Sequence, residues 1–484
     1  MLRTPRQGLG LASLFVCFVS LNGCLSSAGI EPQAQLLASG TLATGSAIAA
    51  AEKNAAWPTR RWWQAYHDPQ LNDWMALALA GSPTLAMAAA RVRQAQALAG
   101  VAEAAEAPQV GLEAQVQRKR WPQDDFYGPG SLGRTSSWNN TQALSFSYDL
   151  DLWGRERNAS ERALDLAQVA AVEARAAALE LQGNVLRTYV QLALQFAEAD
   201  IARAEVAQQE QLLSLAKRRL QAGLGTQLEV SQAEAPLPEA RRQLDSAEEA
   251  IALTRHQLAA LAGQGPGQGE RLQRPQLALE SVPALPQNLP LELLGQRPDM
   301  VARRWQVAAE AHGIEVAKTA FYPNINLLGS LGSAAVQGGV LDFLRYDKLT
   351  YGLGPALTLP IFDGGRLRAE LGEQTAAYDL AVQQYNQTLV AALKSVADPL
   401  VRLRSLEEQR HFAADGLAVA QNTWRLAQIA QQRGLTDYST VLQAQSQVFQ
   451  QQRVQQQVLA AQLSVQADLW VALGGGAMSN EVQP

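Results

Sequence analysis

The sequence predicts an internally duplicated α+β membrane protein with four β-strands per protomer and long antiparallel coiled-coil helices. Three observations predict this class. The chain repeats itself at an interval of 211 to 215 residues, four segments alternate apolar and polar side chains, and long stretches carry coiled-coil spacing. After residue 25, no apolar run reaches the roughly 18 residues that a membrane-spanning helix needs, which excludes a helical inner-membrane transporter.

The N-terminus has the form of a secretory signal. Arg3 and Arg6 precede the apolar segment Leu9–Leu21, whose length suits an exported chain. The segment ends in Leu21-Asn22-Gly23-Cys24, which resembles a bacterial lipobox, where the cysteine is acylated and becomes the first mature residue. Leu25 after the cysteine implies sorting to the outer membrane, by analogy with such lipoproteins. A plain signal peptide with a chance cysteine is the alternative.

The duplication fixes the order of the segments. Pro83–Pro108 and Pro298–Pro323 are both 26 residues bounded by proline, and Gly223-Leu224 recurs as Gly434-Leu435. Trp153-Gly154-Arg155 likewise matches Gly364-Gly365-Arg366. The predicted organisation is a signal peptide at 1–23, a lipid-anchored linker at 24–56, a first repeat at 57–262, a Gly/Pro/Gln-rich connector at 263–290, a second repeat at 291–473 and a tail at 474–484.

Four segments alternate with the period of two that is typical of strands. They are 109–117, 137–150, Ile325 to Leu331 and Tyr351 to Ile361. One face is apolar and the other carries Ser, Thr, Asn, Gln and Gly, as in a water-filled lumen. An ordinary sheet over a core is the alternative. Four strands cannot close a membrane barrel, but three copies would supply twelve. Periodicity alone does not choose the trimer.

Two long helices are predicted to run over 155–222 and 366–433, each roughly 100 Å long at 1.5 Å per residue. Glycine then ends each helix and starts a hairpin, at Gly223 and at Gly434. We expect prolines 236, 238 and 399 to kink these helices. The second helix carries a coiled-coil seam with 4-3-4-3 spacing at Leu389, Leu393, Val396, Leu400 and Leu403.

Several short motifs occur in a fixed order between residues 57 and 473. They are Trp62-Trp63-Gln64-Ala65-Tyr66, Arg297-Pro298-Asp299 and Phe321-Tyr322-Pro323. With the lipobox, the strand pairs and the helical hairpins, this order resembles the TolC-type outer-membrane efflux lipoproteins of the NodT/OprM branch. The resemblance covers nearly the whole mature chain.

The resemblance implies a homotrimer in which a twelve-stranded outer-membrane barrel joins a periplasmic α-helical barrel. It also implies a passive exit channel for drugs or other small toxic compounds, served by a periplasmic adaptor (membrane fusion protein) and an inner-membrane pump of the resistance-nodulation-division type. Gly223, Leu224, Gly434 and Leu435 would form the periplasmic tips that the adaptor contacts. Heavy-metal efflux, type I secretion and a non-channel periplasmic coiled-coil scaffold are the alternatives.

The candidate aperture departs from the family pattern. Thr440 and Gln443 stand where acidic residues are common, while Glu229, Asp437 and Arg433 lie nearby. Each of these three charged residues also has an ordinary structural interpretation. Asp437 would be a helix N-cap, Glu229 part of a solvated face, and Arg433 a cation at a helix C-terminus.

Composition and spacing predict no catalytic, metal or nucleic-acid site. The net charge of −5 excludes a strongly basic surface for nucleic acid. The histidines His67, His256, His312 and His411 show no ligand spacing. No nucleophile motif occurs. We therefore expect no enzyme activity, and no cofactor beyond a covalent lipid on Cys24.

Overall fold

The computed structural model describes residues 26–38, 40, 42–43, 45–51, 59–122, 135–278, 297–336 and 339–476. Cys24 and the predicted signal peptide therefore lie outside the described residues. The chain forms two compact units. The first takes in Val92–Val169 and Arg303–Tyr385 with the N-terminal residues up to Leu36, and the second is built from the rest. Each predicted repeat therefore contributes to both units.

The first repeat contains a helix, two strands and a helical hairpin, in the predicted order. A short helix in the predicted linker precedes this repeat, and a 3₁₀ turn at Trp62–Tyr66 opens it. The elements are α1 Gly45–Ala51, α2 Pro69–Gly81, α3 Pro83–Ala105, β1 Gln109–Arg120, β2 Ser136–Asp149, α4 Arg155–Gln221, α5 Gln227–Glu234, α6 Leu237–Leu261 and the single turn α7 Pro266–Gly269.

The second repeat follows the same order. Its elements are α8 Pro298–Thr319, β3 Asn324–Ala335, β4 Leu349–Thr358, α9 Arg366–Gln432 and α10 Tyr438–Ala472. Both α4 and α9 have 67 residues, and each ends one residue before its predicted bound. No single helix among the described residues has the length and apolarity to cross a membrane; the bent pair α2 and α3 meets that test jointly.

The four strands form one antiparallel sheet in the order β1-β2-β3-β4. Strands β1 and β2 come from the first repeat, and β2 pairs directly with β3 of the second, for example at Leu144 and Leu331. The repeats therefore share one hydrogen-bonded sheet in the first unit. Existence and order of the strands agree with the sequence pattern.

Proline explains two differences between the expected and observed elements. The last strand ends at Thr358, although alternation predicts it through Ile361, because Pro360 has no N–H to donate and turn residues follow. The return helix of the first repeat is interrupted between Glu234 and Leu237, and Pro236 is the N-cap residue of the helix that follows. Pro399, in contrast, lies within the continuous helix α9.

The core of the second unit is built around the 3₁₀ turn Trp62–Tyr66. The Tyr66 hydroxyl donates to the Leu463 carbonyl at 2.8 Å, and the Tyr189 hydroxyl donates to the buried Asp68 carboxylate at 3.0 Å. Burial raises the pKa of both tyrosine hydroxyls, which therefore remain protonated donors. The aromatic motif near the N-terminus thus has a structural role.

The predicted coiled-coil seam is buried. Its five residues are between 0% and 9% exposed. Four of them, from Leu393 onward, pack in the second unit with Ile48 of α1 and with Val465 and Leu469 of α10. Burial of Leu and Val side chains at 4-3 spacing is the interaction that holds α9 against its neighbours.

Candidate channel wall and helical tips

One face of the sheet carries an exposed apolar surface across all four strands. Leu112 lies opposite Leu144, Leu144 opposite Leu331, and Leu331 opposite Tyr351. Directly opposed residues of an antiparallel sheet point to the same face. These four side chains are 44% to 83% exposed. The neighbouring row consists of Val110, Phe146, Gly329 and Leu353. Among the described residues, no hydrophobic core covers this face.

The opposite face is lined by small and polar residues. One of its rows runs Gly111, Ser145, Ser330 and Gly352, and another runs Glu113, Ala143, Gly332 and Thr350. A Cβ on Gly332 would lie 2.3 Å from the Gln142 carbonyl oxygen, so only glycine fits there. Leu328 is the one large apolar side chain among the paired residues of this face. Apolar-out and polar-in alternation is the pattern of outer-membrane barrel strands.

Both outer edges of the sheet are unpaired within the described part of the chain. Strand β1 pairs only with β2, and β4 pairs only with β3. An exposed edge presents a row of backbone N–H and C=O groups that another strand can pair with. Each face of the sheet thus has a consistent polarity, whereas the backbone groups along its two edges have no partner strand among the described residues.

The two helical tips are closed by the same backbone turn. Gly223 and Gly434 adopt φ of 68° and 69°, the left-handed region that glycine enters without steric cost. The Leu224 N–H donates to the Arg219 carbonyl at 2.9 Å, and Leu435 makes the equivalent bond at 2.9 Å. Both are Schellman motifs. They leave the two leucine side chains 72% and 77% exposed.

At the first tip, Thr226 and Glu229 form a capping box. The Thr226 hydroxyl accepts the Glu229 N–H at 3.2 Å, and the Glu229 carboxylate accepts the Thr226 N–H at 3.3 Å. Glu229 thus has a defined structural partner in addition to its exposure to solvent. Thr226 was not among the predicted site residues, although the Thr-x-x-Glu spacing before a helix is a recognisable signal of a capping box.

At the second tip, Asp437 caps helix α10 and brings Thr440 to it. The Asp437 carboxylate accepts the Thr440 N–H at 3.0 Å and the hydroxyls of Thr440 and Ser439 at 2.9 and 2.8 Å. These hydrogen bonds, first that of the Thr440 backbone, hold the pKa of Asp437 below its usual value. The charge of Arg219, a residue not among the predicted site residues, lowers this pKa further. The side chains of Arg433 and Gln443 are exposed.

Two of the motifs that carry the family resemblance stabilise the fold. The Arg297 guanidinium forms a bidentate pair with Asp299 at 2.7 and 3.0 Å. It also donates to the Ser395 hydroxyl at 2.6 Å and to the Ala472 carbonyl at 2.9 Å, at the last residue of α10. In the first unit, Tyr322 stacks on a tryptophan at a centroid distance of 4.8 Å.

The chain is similar to known outer-membrane channels along most of its length. The profile of the family described as outer membrane efflux protein matches residues 74–264 and 289–475. The fusaric acid resistance protein FusA of Burkholderia cepacia is 52% identical over 76% of this chain and 69% of its own. The pyoverdine export outer membrane protein OpmQ of Pseudomonas putida is 32% identical over 88% of this chain and 90% of its own.

Solved structures give the same result. The outer membrane protein VceC of Vibrio cholerae matches with a TM-score of 0.77 and 32% identity, over 87% of this chain and all of that one. The solved neighbours are TolC-type trimeric channels, so the predicted fold class is confirmed. The predicted role in efflux and the predicted location in the outer membrane are confirmed as well. The family and these neighbours are channels rather than enzymes. The chain belongs to the outer membrane efflux protein family.

Proposed function

We propose that three copies of this chain close their sheets into a twelve-stranded barrel and form the exit channel of a tripartite efflux system. The observation that carries the proposal is the four-stranded sheet, which has one exposed apolar face, one face of small and polar residues, and two edges without a partner strand in the described ranges. Pairing β4 of one copy with β1 of the next satisfies the edges in lipid, where each unpaired group costs several kcal/mol. Channels of this family form trimers and work in tripartite pumps.

The proposed cargo is small toxic organic compounds, and fusaric acid is the first compound to test. FusA is the relative with the highest identity among those reported above. Relatives named for pyoverdine export and multidrug resistance extend the range of organic cargo. The channel itself would conduct passively, and the inner-membrane pump would supply the energy.

The proposed adaptor-docking surface is the pair of tips formed by Gly223, Leu224, Gly434 and Leu435. Both leucines project from rigid, hydrogen-bonded turns and are more than 70% exposed. Exposed apolar side chains held by ordered backbone are typical contact points for a protein partner. The partners we propose are a periplasmic adaptor and a pump of the resistance-nodulation-division type.

The proposed aperture comprises Glu229, Arg433, Asp437, Thr440 and Gln443. The carboxylates of Glu229 and Asp437 already accept backbone N–H groups at the helix starts, so both are engaged in capping their helices. Exposed Arg433 and Gln443 could then meet the same residues of neighbouring copies. A ring of polar contacts therefore suits this aperture better than a ring of free carboxylates.

The proposed lipid anchor is an acylated Cys24. Residues 26–34, shortly after Cys24, form hydrogen bonds with helix α9. The Arg368 guanidinium donates to the Ser26 carbonyl, and the Asp379 carboxylate accepts the N–H groups of Gln33 and Ala34 at 2.8 to 3.1 Å. Radiolabelled palmitate should be incorporated into the wild-type chain and not into Cys24→Ser. Equal labelling of both would refute the anchor.

The channel is tested by single-channel recording of the purified full chain in planar bilayers. We expect a trimer that conducts ions, and a higher open fraction for Asp437→Ala, which releases the second tip, than for wild type. Thr226→Ala is the matched variant at the first tip. A monomer without conductance in all three proteins would overturn the proposal. In the source bacterium, loss of the gene should increase sensitivity to fusaric acid, and the intact gene should restore resistance.

A further inference from the structure

The first unit contains an open cavity of about 580 Å³ where both long helices begin. Arg155 and Arg366 both line it, and each is the first residue of its helix, α4 or α9. The two arginines occupy equivalent positions of the duplicated sequence. Helix starts that lie far apart in the chain thus bring two guanidinium groups to one cavity.

Arginine is an unfavourable choice for helix stability at this position. A cation at a helix N-terminus opposes the helix dipole. Nor do the arginines cap the helices, because the Asp151 carboxylate accepts the N–H groups of Glu156 and Arg157 at 3.1 and 3.0 Å. Asp363 does the same for the start of α9. The backbone amides are therefore occupied, and any anion would be bound by the guanidinium groups.

Both arginines remain accessible to a ligand. Arg155 is 56% exposed and lies 3.5 Å from Glu156, and Arg366 is 59% exposed and lies 2.6 Å from Glu370. Glu156 is itself 19% exposed, but its contact with Arg155 is long, and the pair of Arg366 with Glu370 is exposed on both sides. Such ion pairs contribute little free energy, so they exchange readily for a better partner. A phosphate group, which accepts bidentate hydrogen bonds from arginine, is such a partner.

The cavity also has an aromatic wall and an apolar rim. Trp153 stacks on Tyr322, and its indole N–H donates to the Pro323 carbonyl at 2.8 Å, which fixes the ring. Leu359 and Pro360, just beyond the end of β4, line the cavity, and the next two residues along the chain, Ile361 and Phe362, are 78% and 88% exposed. This rim follows the strands whose apolar face is exposed, in a protein of the outer membrane. Tryptophan and tyrosine concentrate at such membrane–water boundaries.

We propose that this cavity binds the headgroup of a phospholipid that carries both a phosphate and a primary ammonium group. Arg155 and Arg366 hold the phosphate, and the carboxylate of Glu370, which also lines the cavity, accepts hydrogen bonds from the ammonium. The acyl chains lie along Ile361 and Phe362. The volume falls within the roughly 300–1,000 Å³ of small-molecule sites. Basic pockets at a membrane surface are typical lipid headgroup sites.

Charge favours a zwitterionic headgroup over an anionic one. The Glu370 carboxylate would repel a headgroup whose only charge is the phosphate, as in phosphatidylglycerol. The quaternary ammonium of phosphatidylcholine has no N–H to donate to this carboxylate. The inference goes beyond the proposed channel function. It requires only the outer-membrane location, so it can fail while conduction stands.

The test is native mass spectrometry of the purified full chain titrated with phosphatidylethanolamine, phosphatidylglycerol or phosphatidylcholine in detergent. We expect phosphatidylethanolamine to bind with the highest affinity. The double variant Arg155→Gln/Arg366→Gln should bind it at least about ten-fold more weakly, because two charge-assisted contacts are lost. Arg345→Gln is the matched control, since Arg345 is 67% exposed beside Asp347 on the loop that joins β3 to β4.

Four results would overturn the proposal. The double variant could bind phosphatidylethanolamine like wild type, or Arg345→Gln could lose as much affinity. Excess inorganic phosphate could displace the lipid, which would make this a free-anion site. Loss of the oligomer in the double variant, with lipid binding unchanged per chain, would make the cavity a subunit contact. Glu370→Gln tests the ammonium contact: preference for phosphatidylethanolamine should disappear, and an unchanged preference would contradict the assignment.

Discussion

The two helical hairpins of this chain share one turn and differ in the helix that follows it. In both, a left-handed glycine and the same pair of backbone hydrogen bonds end a 67-residue helix. The first repeat then starts α5 with a capping box, while the second starts α10 with Asp437. The glycine that both repeats share thus determines the turn, whereas the residues that cap the following helix differ between the repeats.

The return helices also differ in continuity and burial. The first is interrupted at Pro236, and its short segment α5 buries only Val230. The second runs unbroken for 35 residues and buries a dozen side chains, among them Leu442 and Phe449. Close to its tip, therefore, the second return helix is more deeply buried than the first, whereas farther from the tip α6 also contributes Ile251, Leu258 and Ala259 to the core.

The largest expected effect comes from removing a buried side chain in the second return helix. Leu442 is 2% exposed, and its equivalent in the first repeat is the exposed Ser231. Leu442→Ala should lower the free energy of unfolding by about 2–5 kcal/mol because it leaves a cavity. Ser231→Ala should change it by less than about 0.5 kcal/mol. Urea unfolding followed by circular dichroism measures both, and equal effects would break the comparison.

Replacing either turn glycine should lower the free energy of unfolding by less than Leu442→Ala does, and by the same amount at both tips. Nothing lies within 4 Å of a Cβ built on Gly223 or Gly434, so only the left-handed backbone opposes a side chain. Alanine at either position should cost about 1–2 kcal/mol. Gly372→Ala is the control, because this open helical position should gain about 0.5–1 kcal/mol. A tip that tolerates alanine would show that its turn is not the one described.

The two caps should differ in their response to pH. Either Thr226→Ala or Asp437→Ala should cost about 1 kcal/mol at neutral pH. The pKa of Asp437 is lower in the folded than in the unfolded state. Its contribution to the free energy of unfolding is therefore complete above the unfolded-state pKa of about 3.9 and is lost as pH falls through the folded-state pKa. The Asp437→Ala deficit should therefore shrink in acid, and the Thr226→Ala deficit should stay constant. Urea midpoints between pH 7 and pH 3 measure this, and parallel curves would contradict it.

The smallest effect concerns Arg433, which has no charged equivalent in the first repeat, where Ala222 stands. If the arginine only favours its helix C-terminus, Arg433→Gln should cost about 0.3–1 kcal/mol and leave conductance unchanged. If it meets an acid of a neighbouring copy, the same variant should conduct more at an unchanged unfolding midpoint. Bilayer recording alongside unfolding separates the two interpretations.

Sequence patterns predicted the elements better than their roles. Strand alternation, the 67-residue helices and the turn glycines follow from local rules that need few neighbours, so they were found in the right order. The capping box at Thr226 was equally local and was missed. The aromatic motif at Trp62–Tyr66 and the Arg297–Asp299 pair were selected as family signatures, and only their partners, such as the Leu463 and Ala472 carbonyls, show what they do.

The sequence by itself determined the duplication, the four strands with their two faces and the position of both tips, because periodicity and glycine act over a few residues. Only the tertiary structure decided that β2 pairs with β3, that each repeat divides between two compact units, and that Arg155 and Arg366 line one cavity. Those outcomes depend on contacts between residues some two hundred positions apart. Backbone pairing and packing select such contacts, and no local pattern records them.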